Sequence, residues 1–147
     1  MPTRIAFETN ARAAAVTLLE DYAAAAGINL QVYRARPRSI APPTAFVDAI
    51  NETLVDFVGT IRQRTPHVAI IVVHAIFDSG EAADQRDAFV DGFLDWIADR
   101  AYGFGGSTQV VVSEVSDLPA WVPEWMPPAQ QQTFYATQIT LEGFAAT

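Results

Sequence analysis

The chain has 147 residues, half of them hydrophobic, no cysteine, and a formal net charge of −8. That length and apolar content suit one domain with a real core and exclude a disordered chain. The missing cysteines exclude disulfides, thiol catalysis and thiolate metal sites, and the acidic balance excludes a broad DNA-coating surface.

Taken in order, Met1 to Glu8 lacks the charged-then-apolar pattern of a signal peptide, so the expected site of action is inside the cell that makes it. Thr9 or Asn10 can cap a first helix running to about Ala26, where Gly27 stops it. Ala15, Leu18, Leu19, Tyr22 and Ala26 form its predicted buried face. Ile28 to Arg36 reads as a strand that leaves the core near Tyr33. Arg36 to Pro43 holds three prolines, which forbid regular helix and favour an extended or turning segment. Thr44 to Ala49 reads as a short strand. Val55, Phe57 and Ile61 suggest a second strand with a kink at Gly59, or a short helix. Asn51-Glu52-Thr53 matches a glycosylation sequon and, without secretion, reads as chance. Gln63 to Pro66 is predicted to turn the chain into Val68–Phe77, an apolar, β-branched run at both parities. Such a run is a central strand covered on both faces.

The period then changes. Phe89, Val90, Phe93, Leu94 and Ile97 recur at helical steps, with Asp84, Asp87, Asp91, Asp95 and Asp99 as an acidic stripe beside them. Asp78 or Ser79 can cap this helix, predicted over about 80–100, and Glu81 suits its positive end. Gly103 to Ser107 follows a helix and precedes a strand, the reverse of a phosphate-cradling loop. Strands follow at Thr108–Val115 and Phe134–Leu141, the latter with Tyr135, Thr137, Ile139 and Leu141 on one side. Between them, 117–132 carries four prolines and two tryptophans. Unstructured connections that long are usually functional. Trp121 and Trp125 are either interface anchors or fold back onto the domain's own core. No stretch of about 18 apolar residues occurs, so no membrane span is expected. The fold class expected is α+β: a mixed, mainly antiparallel sheet packed by two principal helices, about 9–26 and 80–100.

Chemistry is thinly represented. His67 and His74 are seven apart and fall on opposite sides of a strand, so they cannot easily share a metal. His74 and Asp78, a pair at a strand end, could act as a general base; the plainer reading is a polar residue at the sheet margin and a helix cap. The aspartate stripe points outward along one helix and does not wrap a cation. No catalytic residue, metal or cofactor is expected. The cations are all arginine, and Arg34, Arg36, Arg38, Arg62 and Arg64 fall in the first half, while acid dominates from Asp78 to Asp99. Separate patches of opposite sign suit head-to-tail packing of copies, or are simply two solvated faces.

Several stretches, in this order and spacing, resemble the tail-terminator proteins of long-tailed bacteriophages. They are the N-terminal helix followed by Gln31-Val32-Tyr33, the run from Arg36 to Phe46, and Gln63-Arg64-Thr65 before the central strand. Phe77-Asp78, Gln85-Arg86-Asp87 and the closing Phe134 to Gly143 complete the set. The resemblance implies an α+β domain that is a structural virion protein and not an enzyme. Copies would form a six-membered ring that caps the tail tube, ends its polymerisation and joins the tail to the head connector or stopper protein. DNA would pass through the hole without specific binding. The location implied is the neck-proximal end of the virion tail, after assembly in the host cytoplasm. A neck or head–tail completion protein is the alternative, and a small-ligand or enzyme domain using His74 and Asp78 a more distant one. Candidate contacts between subunits or to the tube are Arg36, Arg38, Arg62 and Arg64, with Pro42, Pro43, Trp121 and Trp125 shaping two separate loops. Asp84, Asp87, Asp91 and Asp95 are candidates for an acidic lumen or for meeting a neighbour's arginines.

Overall fold

In a computed structural model, the backbone is described for residues 4–56, 62–77, 80–98 and 109–144, with side chains within 11–51, 67–77, 80–98 and 110–143. The elements are α1 (Arg4–Ala26), β1 (Gln31–Tyr33), β2 (Thr44–Asp56), β3 (Arg62–Ile76), α2 (Ala82–Ala98), β4 (Gln109–Trp121), a short 3-10 helix (Pro128–Gln130) and β5 (Phe134–Phe144). The strands form one sheet ordered β1-β2-β3-β5-β4. Only β1 and β2 run parallel; the other neighbours are antiparallel. The fold is α+β, with two helices packed on a mixed, mainly antiparallel sheet.

The apolar run of β3 is central because both its faces find partners. Val68, Ile70 and Val72 join Leu18, Leu19, Phe89, Phe93, Ile139 and Leu141 in the larger core, under the helices. Ile71 and Val73 point the other way, into a smaller core with Phe46, Phe134 and Ala136. The alternation of strand side chains thus feeds two cores from one strand. α1 contacts β1, β2 and β3, while α2 contacts β3, β5 and β4. Each helix therefore covers one half of the same sheet face.

α1 buries Ala15, Leu18, Leu19 and Tyr22 as predicted, together with Ala11 and Ala23, and leaves Ala26 exposed. It already runs at Arg4, the first described residue, ahead of the Thr9 or Asn10 cap, and Gly27 ends it with φ +69°. That left-handed value is strained for residues with a Cβ, so glycine belongs there. α2 buries Phe89, Val90, Phe93 and Ile97, while Leu94 at the stripe's margin is exposed.

Several strand boundaries differ from expectation. The strand expected over Ile28–Arg36 shrinks to Gln31–Tyr33, because only these residues reach the β2 ladder. Thr44–Ala49 and the stretch beyond it form one strand to Asp56, with an irregularity between Val47 and Ala49 that keeps the ladder going. Gln63 to Pro66 is not a turn: these residues pair with Thr53 to Val55 and Glu52 across the hairpin. β4 continues to Trp121 despite Pro119, which an edge strand tolerates because its outer side needs no donor. The expected loop over 117–132 thereby shortens to the residues after Trp121. Phe57 and Ile61 of the second expected strand, Gly59, the Asp78 and Ser79 cap, Asp99 and the loop 103–107 lie outside the described residues.

Candidate assembly surfaces

The two proline-bearing segments, expected as separate loops, come together. After Trp121 the chain crosses the sheet face opposite the helices before entering β5. Met126 N–H donates to the Pro123 carbonyl at 3.1 Å, and Gln131 Nε2 donates to the Met126 carbonyl at 2.9 Å. These bonds hold the crossing segment as a strap. At its far reach Trp125 Nε1 donates to the Pro37 carbonyl at 3.0 Å. Arg36 lies 5.1 Å from the centroid of the same indole, and its Nε is 2.9 Å from Asp48 Oδ1. Trp121 packs 5.5 Å from Trp125 and 6.0 Å from Phe46 by ring centroids. The fold-back reading of the tryptophans therefore describes their contacts: they cap the smaller core, each staying half-buried.

The 36–43 segment is tied down as well. Gln31 N–H donates to the Pro43 carbonyl at 3.2 Å and Thr44 Oγ1 to the Ala41 carbonyl at 2.6 Å. Pro42 and Pro43 are joined by a cis peptide bond and are half-buried. Arg38 is exposed beside them. The union of strap and segment was not legible in sequence, because Trp125 and Pro37 are 88 residues apart and no local period connects them.

The arginines do not form one patch. Arg34, Arg36 and Arg38 follow β1 at one edge of the sheet, where Arg12 Nη1 also donates to the Arg34 carbonyl at 2.7 Å. Arg62 and Arg64 stand opposite Asp56 and Leu54 on the β2–β3 hairpin. Leu54 is six residues beyond Asp48, about 20 Å along the strand. The side chains of Arg62 and Arg64 lie outside the described residues. Among the described residues, β2 past Asn51 and β3 before His67 pair only with each other, as a two-stranded ribbon at this end of the hairpin.

Acid gathers on the other half. Asp84, Asp87, Asp91 and Asp95 are all exposed on α2, and Glu114 and Asp117 lie on β4, the opposite edge strand. Among the described residues Arg86 is the one cation on this half. Its Nη1 donates to Asp87 Oδ1 at 2.8 Å. Its Nε stands 2.9 Å from Asp117 Oδ1, an ion pair that is out of line for a hydrogen bond. The Asp87 hydrogen bond, with the nearby carboxylate charges, raises its pKa further. α1 also exposes Glu20 and Asp21, so the basic edge is a local feature, not a basic half.

His74 lies near the end of β3 but is buried there. A ladder irregularity between Val73 and Ala75 accommodates it, and only 6% of its surface is exposed. It exchanges a 2.9 Å hydrogen bond with Thr137 Oγ1 and packs edge-on to Phe89 at 5.4 Å. Burial first, and then the Arg86 charge, lower its pKa to about 4 against an opposing pull from Asp87. A neutral imidazole under Phe89 fills a core position, and its burial does not suit a strand-end base working with Asp78. His67, partly exposed, stands across from Glu142 with Nδ1 4.0 Å from Oε2. Among the described residues no cluster of three metal-ligating side chains forms, and no helix is long and apolar enough to cross a membrane.

No protein-family model matches the chain, and no curated protein matches it. One solved structure, which carries no functional name, superposes with a TM-score of 0.51 at 22% identity, over 92% of this chain and 94% of that one. At that identity the likeness is one of fold.

Proposed function

We propose that this chain is a structural assembly subunit of the tail-terminator kind. Copies join into a six-membered ring that caps a phage-type tail tube, stops its growth and meets the head connector. The observation that carries the reading is the disposition of charge across the sheet. Arg34, Arg36 and Arg38 sit at the β1 edge, while β4 and α2 carry the exposed acids at the other. Opposite signs on opposite edges suit a heterologous contact, in which one face of each copy meets a different face of the next; such contacts make a ring when the rotation between copies closes, and a filament when it does not. The ordered resemblance to tail terminators supports the same reading. In such a ring the α2 stripe either meets a neighbour's arginines or faces the hole, where carboxylates repel DNA phosphates and let a genome pass without binding. The strap and the 36–43 segment offer one joined contact surface for tube or connector. The ribbon bearing Arg62 and Arg64 offers a second, on the far end of the hairpin.

Mass photometry and negative-stain imaging, with and without tail-tube protein, test this. Rings of uniform size that bind tube ends are expected. A chain that stays monomeric even beside tube protein, or that binds only the connector side, would remove the terminator assignment; the second result favours a neck protein. Arg64→Glu is expected to fold, judged by circular dichroism, yet to leave rings unformed. If that variant elutes as a full ring, Arg64 has no part in the contact.

A further inference from the structure

On the sheet face away from the helices, beside the strap, lies an open cleft of about 690 Å³. Sites that hold small ligands or peptide side chains have this order of volume. Ile71, Leu118 and the two indoles of Trp121 and Trp125 supply its apolar lining. At one end the protein's own chain already shows what the cleft accepts. Trp125 Nε1 donates to the Pro37 carbonyl, and Arg36 lies over that indole while pairing with Asp48. An aromatic groove that donates to a carbonyl of a proline-bearing segment, and holds the adjacent arginine between ring and carboxylate, uses the contacts by which such grooves read extended peptides.

We propose that the unfilled remainder of this cleft docks an extended segment of a partner protein bearing arginine and proline. The charge of the lining sets the sign. Asp48, Asp117 and Glu124 border the cleft; Asp48 pairs with Arg36 and Asp117 with Arg86, so among the described residues Glu124 carries the uncompensated negative charge, within a chain of net charge −8. The indoles need no rearrangement to receive it, because the strap's hydrogen bonds and the Trp125–Pro37 bond already hold them. A preformed wall lowers the ordering cost of binding. The occupant is a peptide and not a nucleic acid, whose phosphates these carboxylates would repel. This inference holds whether or not copies of the chain form a ring.

The test uses the full chain and a capped Ala-Arg-Pro-Arg-Pro-Ala peptide, with a twin carrying glutamate for arginine. Indole N–H resonances are followed by NMR. The arginine peptide is expected to shift the Trp121 and Trp125 signals saturably and to leave Trp96, in the other core, unmoved. Glu124→Gln, on an exposed strap position, should weaken binding about two- to fivefold, the range of an exposed ion pair. Asp91→Asn on α2 should leave it unchanged. The absence of any saturable shift at about 1 mM peptide, the weak end of specific binding, overturns the proposal. So does a glutamate twin that shifts the same signals equally. A loss in Asp91→Asn equal to that in Glu124→Gln also overturns it, by showing diffuse charge attraction.

Discussion

Gly92 occupies the middle of α2, where a side chain would strike Tyr22. A Cβ placed there would stand 2.5 Å from the Tyr22 hydroxyl oxygen and 3.6 Å from its Cζ. Tyr22 is poorly placed to retreat. Its ring meets Phe89, Phe93 and Trp96 at centroid distances of 5.2, 5.3 and 5.5 Å, and its hydroxyl donates to the Phe89 carbonyl at 3.2 Å. Gly92→Ala gains about 1 kcal/mol of helix propensity. Against that stand about 1–3 kcal/mol for overpacking and about 0.5–1.5 kcal/mol for the hydrogen bond it displaces. The clash wins, and the expected net loss is about 1–3 kcal/mol. Removing the hydroxyl changes the sign. With Tyr22→Phe the nearest atom becomes Cζ at 3.6 Å, an ordinary contact, so Gly92→Ala should then stabilise by about 1 kcal/mol. Urea denaturation of the four proteins in the double-mutant cycle measures the coupling, expected to be about 2 kcal/mol or more. If Gly92→Ala has the same effect in both backgrounds, the close approach of Tyr22 is not what keeps glycine there.

Two further outcomes follow from named contacts. His74, with its folded pKa lowered from 6.5 to about 4, contributes no pH dependence above pH 6.5, where it is neutral folded and unfolded. Below that the unfolded chain takes up a proton that the folded chain refuses, so stability falls by about 1.4 kcal/mol per pH unit. The loss totals about 3 kcal/mol and levels off once the pH passes below the folded value. His74→Gln, which can still bond Thr137, should lack this component, and parallel stability–pH curves for the two proteins would contradict it. Trp125→Phe keeps a ring over the smaller core but deletes the donor to Pro37, a loss of about 1 kcal/mol. Trypsin should then cut after Arg38 about fivefold faster, while the Arg36–Pro37 bond resists; an unchanged rate would mean the indole bond does not hold the segment.

Some elements were legible from their own residues. The 3.6-residue spacing of Phe89, Val90, Phe93 and Ile97 named the face of α2, and the unbroken apolar run from Val68 named the central strand. Gly27 named the end of α1. These signals survive because each element carries its own periodicity and its own cap. Tertiary structure alone decided how far strands run and which segments meet. Pro66 and Pro119 look like breakers in the sequence, yet each sits in a strand: Pro66 stands opposite Glu52, and Pro119 falls in the ladder irregularity between Leu118 and Trp121 of an edge strand, which spares its missing donor. His74 looked marginal and is buried, because the ladder irregularity beside it and Phe89 above it are set by residues far along the chain. The join of Trp125 to Pro37, and the parting of Arg36 from Arg64, depend on sheet order. Sheet order is a set of long-range pairings, and no short window of residues records it.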